Sequence, residues 1–231
     1  MARTSVKPAK RRYDTSRRQA SALETRRRIL AAARRLFLKR GYAATTMAAI
    51  AAAAGVSIET IYLSIGGKAG LVRYLVETAL SGTDEPVPPV ERAGVREVRA
   101  EPDPRQKLRL FARMVRPMLE RLAPIWFVVL EAAPSDKELS SLVDELQQRH
   151  AGSMRLVIEH LLEAGRLRPP LSKDTARDVV WAMNSPEFYG LLVGRRGWTG
   201  EMFERWLTDA WQRLLLEDLP ALKTASPPSA R

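Results

Sequence analysis

The chain has 231 residues, 38 Lys and Arg against 26 Asp and Glu, and a formal net charge of +12. It has no cysteine and only two histidines, His150 and His160, so disulfides, thiolate zinc sites and a Cys nucleophile are excluded. An apolar fraction of 45 % is that of a globular chain and argues against wholesale disorder. The charge is not spread evenly. Residues 1–40 hold 14 basic side chains and two acidic ones, so the first sixth of the chain carries the entire excess. An anionic partner is implied, and it belongs near this end.

Residues 1–20 are basic, nearly free of large apolar side chains, and read as a flexible arm. From Ser21 the pattern turns helical. Ile29, Leu30, Ala33, Leu36 and Phe37 fall on one helical face, and Gly41 marks a stop. A short helix is expected from about Met47 to Ala53, with Thr46 at its N-cap. Gly55 breaks it, Ser57 caps a third short helix through about Ser64, and Gly66–Gly67 end that one. A fourth helix, over 68–81, leads away. Residues 82–104, with five prolines, read as a loop holding one helical turn near Val95–Val98. Further helices are expected at about 105–122, 124–133, 136–164, 172–193 and 200–217, with Pro117 and Pro186 kinking or splitting theirs. Residues 220–231 read as a disordered tail. No long segment alternates at period two, so the expected fold class is all-α. The domains are a basic arm (1–20), a helix-turn-helix unit (21–67), a connecting helix (68–81) and a larger helical domain (82–219).

The stretch from Thr45 to Tyr62 has the pattern of a helix-turn-helix. Ala51 and Ala54 let two helices approach, Ile50, Val56, Ile61 and Ile65 lock their angle, and Gly55 permits the turn. The third helix then fits a DNA major groove. With Ile61 and Ile65 inward, helix geometry places Ile58, Glu59, Tyr62 and Leu63 outward. Ile58 would meet a thymine methyl, and Glu59 would accept from a cytosine amino group. Few basic residues lie on this helix, so affinity must rest largely on phosphate contacts elsewhere. Arg11, Arg12, Arg17 and Arg18 of the arm are candidates for the minor groove.

The run from Arg26 to Leu71 resembles the DNA-binding domain of the tetracycline-repressor (TetR/AcrR) family. The resemblance rests on Ile29–Leu30, Ala32–Ala33, Leu36–Phe37, Gly41–Tyr42, Thr45–Thr46, Ile50–Ala51, Ala54–Gly55–Val56–Ser57, Thr60, Tyr62, Lys68 and Leu71. It departs at Ile65, where the family usually has an aromatic residue, and at Gly66–Gly67. The resemblance implies that Thr46, Tyr62 and Lys68 bind phosphates and that Met47 and the Ser57 cap lie near the groove. It also implies a helical C-terminal domain that dimerises through its last two helices and binds a small molecule, with repression the family expectation.

In that domain lie all five tryptophans. Met114, Met118, Trp126, Phe127, Leu130, Met154, Ile158, Trp181 and Asn184 are candidate pocket residues, suited to a lipophilic or aromatic effector. Val179, Val180, Met183, Leu191, Leu192, Phe203, Trp206, Leu207, Ala210, Trp211 and Leu214 follow helical spacing and are candidates for the dimer face. No catalytic residue, metal ligand or cofactor is expected, since no phosphate loop, HExxH or GxSxG motif is present and the histidines are ten apart. No apolar run of 18 residues and no apolar segment after the charged start are found, so neither a membrane span nor a secretory signal is expected, and the bacterial cytoplasm, at the nucleoid, is the expected location. The alternative is a sequence-nonspecific nucleic-acid-binding or packaging protein that uses the basic arm. The ordered helix-turn-helix and the neutral remainder argue against it.

Overall fold

The computed structural model describes residues 15–164 and 167–217. Ten α-helices run through them: α1 Thr15–Arg40, α2 Met47–Ala54, α3 Ile58–Ser64, α4 Lys68–Ser81, α5 Ala93–Ala100, α6 Pro104–Ala132, α7 Lys137–Ala164, α8 Lys173–Met183, α9 Pro186–Tyr189 and α10 Gly200–Leu215. A π-helical turn, Gly190–Arg195, continues α9. Among the described residues there is no strand, only an isolated antiparallel bridge between Leu167 and Leu216. The architecture is all-α, with a three-helix N-terminal unit followed by a larger helical domain.

Two cores hold the chain together, and α6 runs through both. The first joins Ile29, Phe37, Ile50, Ile61 and Leu71 to Trp126, Val129 and Leu142. The second gathers Phe111, Leu119, Ile158, Val180, Phe203 and Trp211. The N-terminal unit is therefore not cored in isolation. Its apolar interior continues into the end of α6 and the start of α7.

Several boundaries differ from expectation. Helix α1 begins at Thr15, so residues 15–20, read as part of a flexible arm, are helical. The Pro-rich segment 82–104 holds more order than one turn: a 3-10 turn at Pro89–Glu91, then α5, which buries Val98. The two helices expected at 105–122 and 124–133 are one, with Pro117 and Pro124 inside it. An interior proline costs about 3 kcal/mol. Helix α6 buries large side chains all around these prolines, Phe111 and Val115 before them, Leu119 and Leu122 between them, and Ile125, Trp126 and Val129 after them. Each contributes roughly 1.5–3 kcal/mol, so packing overrides the local preference. The helix expected at 172–193 splits where Pro186 signalled it would: α8 ends at Met183, and Pro186 starts α9 with Ser185 as its cap. The segments 1–14 and 218–231, with Arg11, Arg12 and the expected tail, lie outside the described residues.

Candidate nucleic-acid interface and effector cavity

The turn between α2 and α3 follows from its residues. Gly55 sits at φ 65°, ψ 42°, a left-handed conformation that costs a residue with a Cβ roughly 1–2 kcal/mol. The Gly55 N–H donates to the Ala52 carbonyl at 3.3 Å and the Val56 N–H to the Ala51 carbonyl at 3.1 Å, which closes α2. Helices α2 and α3 then diverge by 95°. Each starts on a hydroxyl cap: Thr46 Oγ1 accepts from the Ala49 N–H at 3.1 Å, and Ser57 Oγ from the Thr60 N–H at 3.2 Å. Thr45, fully buried, donates its hydroxyl to the Gly41 carbonyl at 2.8 Å and ties the end of α1 to this unit.

The outward face of α3 is narrower than its periodicity suggested. Ile61 is fully buried, and Ile58 and Ile65 are half-buried against the first core. Ile58, expected outward, is thus only partly exposed, because the first turn of α3 lies over the N-terminal core. Glu59, Tyr62 and Leu63 remain outside, Tyr62 55 % and Leu63 89 % exposed. Leu63 is the most exposed apolar side chain on this face. The Glu59 carboxyl is held below its usual range by its own backbone N–H and the Ser57 hydroxyl, so it stays an acceptor. Thr46 and Ser57 are exposed at the caps, and Met47 is half-buried against the core.

Lys68 is engaged on the protein. Its ammonium lies 4.1 Å from the centre of the Tyr42 ring and donates to the Ala43 carbonyl at 3.4 Å. Burial lowers its pKa. The Tyr42 hydroxyl donates to Asp136 Oδ2 at 2.9 Å, and burial followed by that carboxylate pushes the phenol well up. Asp136 Oδ1 in turn accepts from the Glu138 and Leu139 N–H groups at the start of α7. A chain of contacts thus links the first residue of α4 to the cap of a helix in the larger domain.

Not all of the basic charge in residues 1–40 faces outward. Arg26 pairs with Glu85 at 3.0 Å and lies over the Tyr74 ring, and Arg27 pairs with Asp84 at 2.6 Å. Arg34 donates to the Arg121 carbonyl at 3.4 Å. These clamp α1 to the segment after α4 and to α6. Arg17 and Arg18 lie in the first turn of α1 rather than on an arm, and Arg18 is exposed.

In the larger domain a cavity of about 760 Å³ opens between α4, α5, α6, α7 and α8. Met114, Met118, Trp126, Met154, Trp181 and Asn184 line it. Phe127, Leu130 and Ile158 do not. Phe127 is 44 % exposed, Leu130 packs against the first core, and Ile158 is buried in the second, since each points away from the cavity on its helix. Sequence reasoning missed the polar part of the wall, which includes the basic side chains Arg92, Arg96, Arg99, Lys107 and Arg149 as well as His150 and Glu187. His150 precedes Met154 by four residues, and that spacing was the available signal. Trp126 Nε1 donates to Glu187 Oε1 at 2.7 Å.

The cavity touches the connecting helix directly. Val76 and Leu80 of α4 form part of its wall. Polar bonds fasten α4 to α7 beside it, Arg73 to Glu145 at 2.7 Å and Arg149 to Glu77 at 2.5 Å. The Arg73 guanidinium holds the Glu145 carboxyl below its usual range. Among the described residues, no three His, Asp or Glu side chains are grouped to hold a metal, and no single helix is long and apolar enough to cross a membrane.

Of the residues proposed for a dimer face, Val180, Met183, Phe203, Leu207 and Trp211 are buried in the second core. They belong to the inner face of their helices. Leu191, Trp206 and Leu214 remain exposed, together with Met202.

Residues 29–75 match the family model for bacterial regulatory proteins of the tetR family. Over 62 residues the chain is 47 % identical to the HTH-type transcriptional regulator TtgR of Pseudomonas putida, and equally so to the probable regulator ArpR of the same species. Each match covers 27 % of this chain and 30 % of the relative. Solved structures extend the likeness over most of the chain. Native NalD of Pseudomonas aeruginosa, the secondary repressor of the MexAB-OprM efflux pump, gives a TM-score of 0.67 at 23 % identity over 84 % of this chain and 98 % of that one. A putative regulator from Saccharomonospora viridis in complex with choline gives 0.63 at 22 % identity over 84 % and 99 %. At such identity these two speak for the fold. Residues 29–75 are thus similar to the tetR family of bacterial regulatory proteins, and around that segment the chain carries an all-helical fold shared with those structures.

Proposed function

We propose that this protein is a homodimeric, DNA-binding transcriptional regulator, a repressor that a lipophilic small molecule releases from a palindromic operator. The observation that carries the reading is α3, a capped helix set at 95° to α2 whose outer side offers Glu59, Tyr62 and an almost fully exposed Leu63. A leucine so exposed on a rigid helix is apolar surface in want of a partner, and a base edge supplies one. The hydroxyls of Thr46, Ser57 and Tyr62 suit phosphates, which position the helix.

Release follows from the place of the cavity. A ligand that packs against Val76 and Leu80 acts on α4, and α4 shares its core with α1, α2 and α3. Any shift of α4 carries the reading helix with it. The ligand must bind the shifted arrangement more tightly than the DNA-competent one for release to occur. Dimerisation uses the apolar strip Leu191, Met202, Trp206 and Leu214 on the outer side of the last helices. Two reading helices in one dimer then address half-sites about 34–36 Å apart or a multiple of that.

Selection of bound duplexes from a random pool tests the reading. A palindromic consensus, bound at least ~1000-fold tighter than random duplex, is expected. A specificity ratio near one favours nonspecific packaging and overturns it. Leu214→Glu, at an exposed position, is expected to give a monomer in analytical ultracentrifugation at micromolar protein. With one half-site engaged at a time, affinity for the palindrome falls by ~100-fold or more. A dimer that survives this change with unaltered affinity places the interface elsewhere.

A further inference from the structure

The charge of the cavity wall is one-sided. Among the described residues it holds five basic side chains, Arg92, Arg96, Arg99, Lys107 and Arg149, against one carboxylate, Glu187. Glu187 already accepts from Trp126 Nε1 at 2.7 Å. Burial keeps the His150 imidazole neutral at pH 7. Arg149 is answered by Glu77 and Glu145. The other four basic groups form no ion pair among the described residues. Arg92 Nε donates to the Val87 carbonyl at 3.0 Å, and Lys107 Nζ to the carbonyls of Val98 and Arg99 at 3.1 and 3.2 Å. These acceptors are neutral and leave the charge standing. Glu77 acts on Arg92, and Glu101 and Glu163 act on Lys107, without pairing with them.

The excess is carried by α5. Arg92 is its N-cap, Arg96 and Arg99 lie within it, and Val95 and Val98 belong to the same wall. Spacings of three and four residues put the arginines on one helical face. Every basic side chain of residues 92–100 borders the cavity, and the one acid of that segment, Glu97, does not. Like charges so spaced repel, and a helix of eight residues has little stability of its own to set against that. Lys107, 4 % exposed, adds a positive charge at the last turn of α5. Burial lowers its pKa, so its charge is already costly, and a nearby anion offsets that cost. Arg96 and Arg99 are exposed and so stand at the rim. The interior behind them is apolar, with Phe111, Met114, Leu119, Trp126 and Met154.

We propose that the effector is a lipophilic anion, its apolar body inside the cavity and its carboxylate or phosphate head at Arg96 and Arg99. This rests on the reading of the cavity as an effector site. The volume of about 760 Å³ suits a drug-sized body, for which roughly 300–1,000 Å³ is usual. A guanidinium presents a planar fork that matches either head. At the rim the head keeps part of its water, whereas a charge carried into the apolar interior would lose it. A neutral head leaves the arginines facing one another, and an ammonium adds to their repulsion. Exposure makes the attraction modest and sensitive to salt.

The experiment uses the full chain and two bodies, decyl and para-hexylphenyl, each carrying a carboxylate, a phosphate monoester, a hydroxyl or an aminomethyl head. All are kept below the concentrations at which they form micelles. Binding is read by calorimetry and tryptophan fluorescence. At low salt at least one anion of each body is expected to bind about tenfold tighter than its hydroxyl compound, with the amine weakest. Whether carboxylate or phosphate is the tighter identifies the head. In about 1 M NaCl the preference should shrink to about twofold. Arg96→Gln with Arg99→Gln is expected to reduce it as far at low salt, by weakening the anions alone. Both positions are exposed, so the fold is not at risk. Arg109→Gln with Arg113→Gln removes the same charge from exposed positions of α6 outside the cavity wall, and should leave the preference intact. A hydroxyl or amine compound that equals both anions overturns the proposal. So does a preference that survives Arg96→Gln with Arg99→Gln, or one that falls equally in the α6 pair. In each of these cases the effector-site reading stands, since compounds still bind. If no compound of either series binds, that reading fails, and this proposal fails with it.

Discussion

Leu63→Glu is expected to abolish sequence-specific DNA binding while leaving the protein folded. Leu63 is 89 % exposed on the last turn of α3, so its replacement by another good helix former removes no packing. Exposed substitutions of this kind change stability by within about 0.5 kcal/mol. On DNA the same change deletes an apolar contact with a base edge and sets a second carboxylate four residues after Glu59, against the phosphates. Loss of a base contact costs roughly 1–3 kcal/mol, and a dimer loses it twice. Affinity for the selected duplex should therefore fall by about 30-fold to 20 000-fold, read by fluorescence anisotropy, with the melting temperature unchanged. Tyr62→Phe separates the roles on this face. Loss of a hydroxyl that touches a phosphate weakens binding alike for matched and mismatched duplexes. Unchanged affinity in Leu63→Glu would show that α3 does not present this face to the bases.

The second large effect is a pH dependence of stability seated at His150. Burial pushes its imidazole down from 6.5 to about 4, partly opposed by Glu187. In the unfolded chain the same group takes up its proton near 6.5. Between these values the unfolded state binds more protons than the folded one, so stability falls as the pH falls. The contribution is fully present above about pH 6.5 and is lost as the pH falls toward 4, a difference of roughly 3 kcal/mol. Urea unfolding at pH 7, 6, 5 and 4.5 measures it. His150→Leu should show a shallower slope over this range. An identical slope in both proteins would place the proton uptake at another group.

Much of the N-terminal unit could be read in advance because its signals are local. Thr46 and Ser57 are caps, Gly55 is the turn, and Ile50 and Ile61 are core, each recognisable within a turn or two of its neighbours. The larger domain was read less well where distant packing outweighed local preference. The break expected between the helices at 105–122 and 124–133 is absent, because burial along α6 exceeds the cost of Pro117 and Pro124 inside it. Phe203, Leu207 and Trp211 had the spacing of an interface helix, yet they fill the core, while Trp206 and Leu214 of the same helix stay outside. Periodicity shows that a helix has an apolar face. It does not show whether that face meets its own chain or another copy.

The run from Ile29 to Leu71 carries the likeness to the tetR family, and helical periodicity along the chain carries the all-α class. Both are written in residue type and short spacing, where caps, glycines and helical periodicity act within a few residues. Only the tertiary structure decided which of the basic side chains before residue 41 are held internally, as Arg26 and Arg27 are by Glu85 and Asp84. It alone decided that Leu63 stands far more exposed than Ile58 and that the cavity borders α4. These depend on which distant side chains meet. Salt bridges between residues 57 or more apart arise from packing across the whole chain.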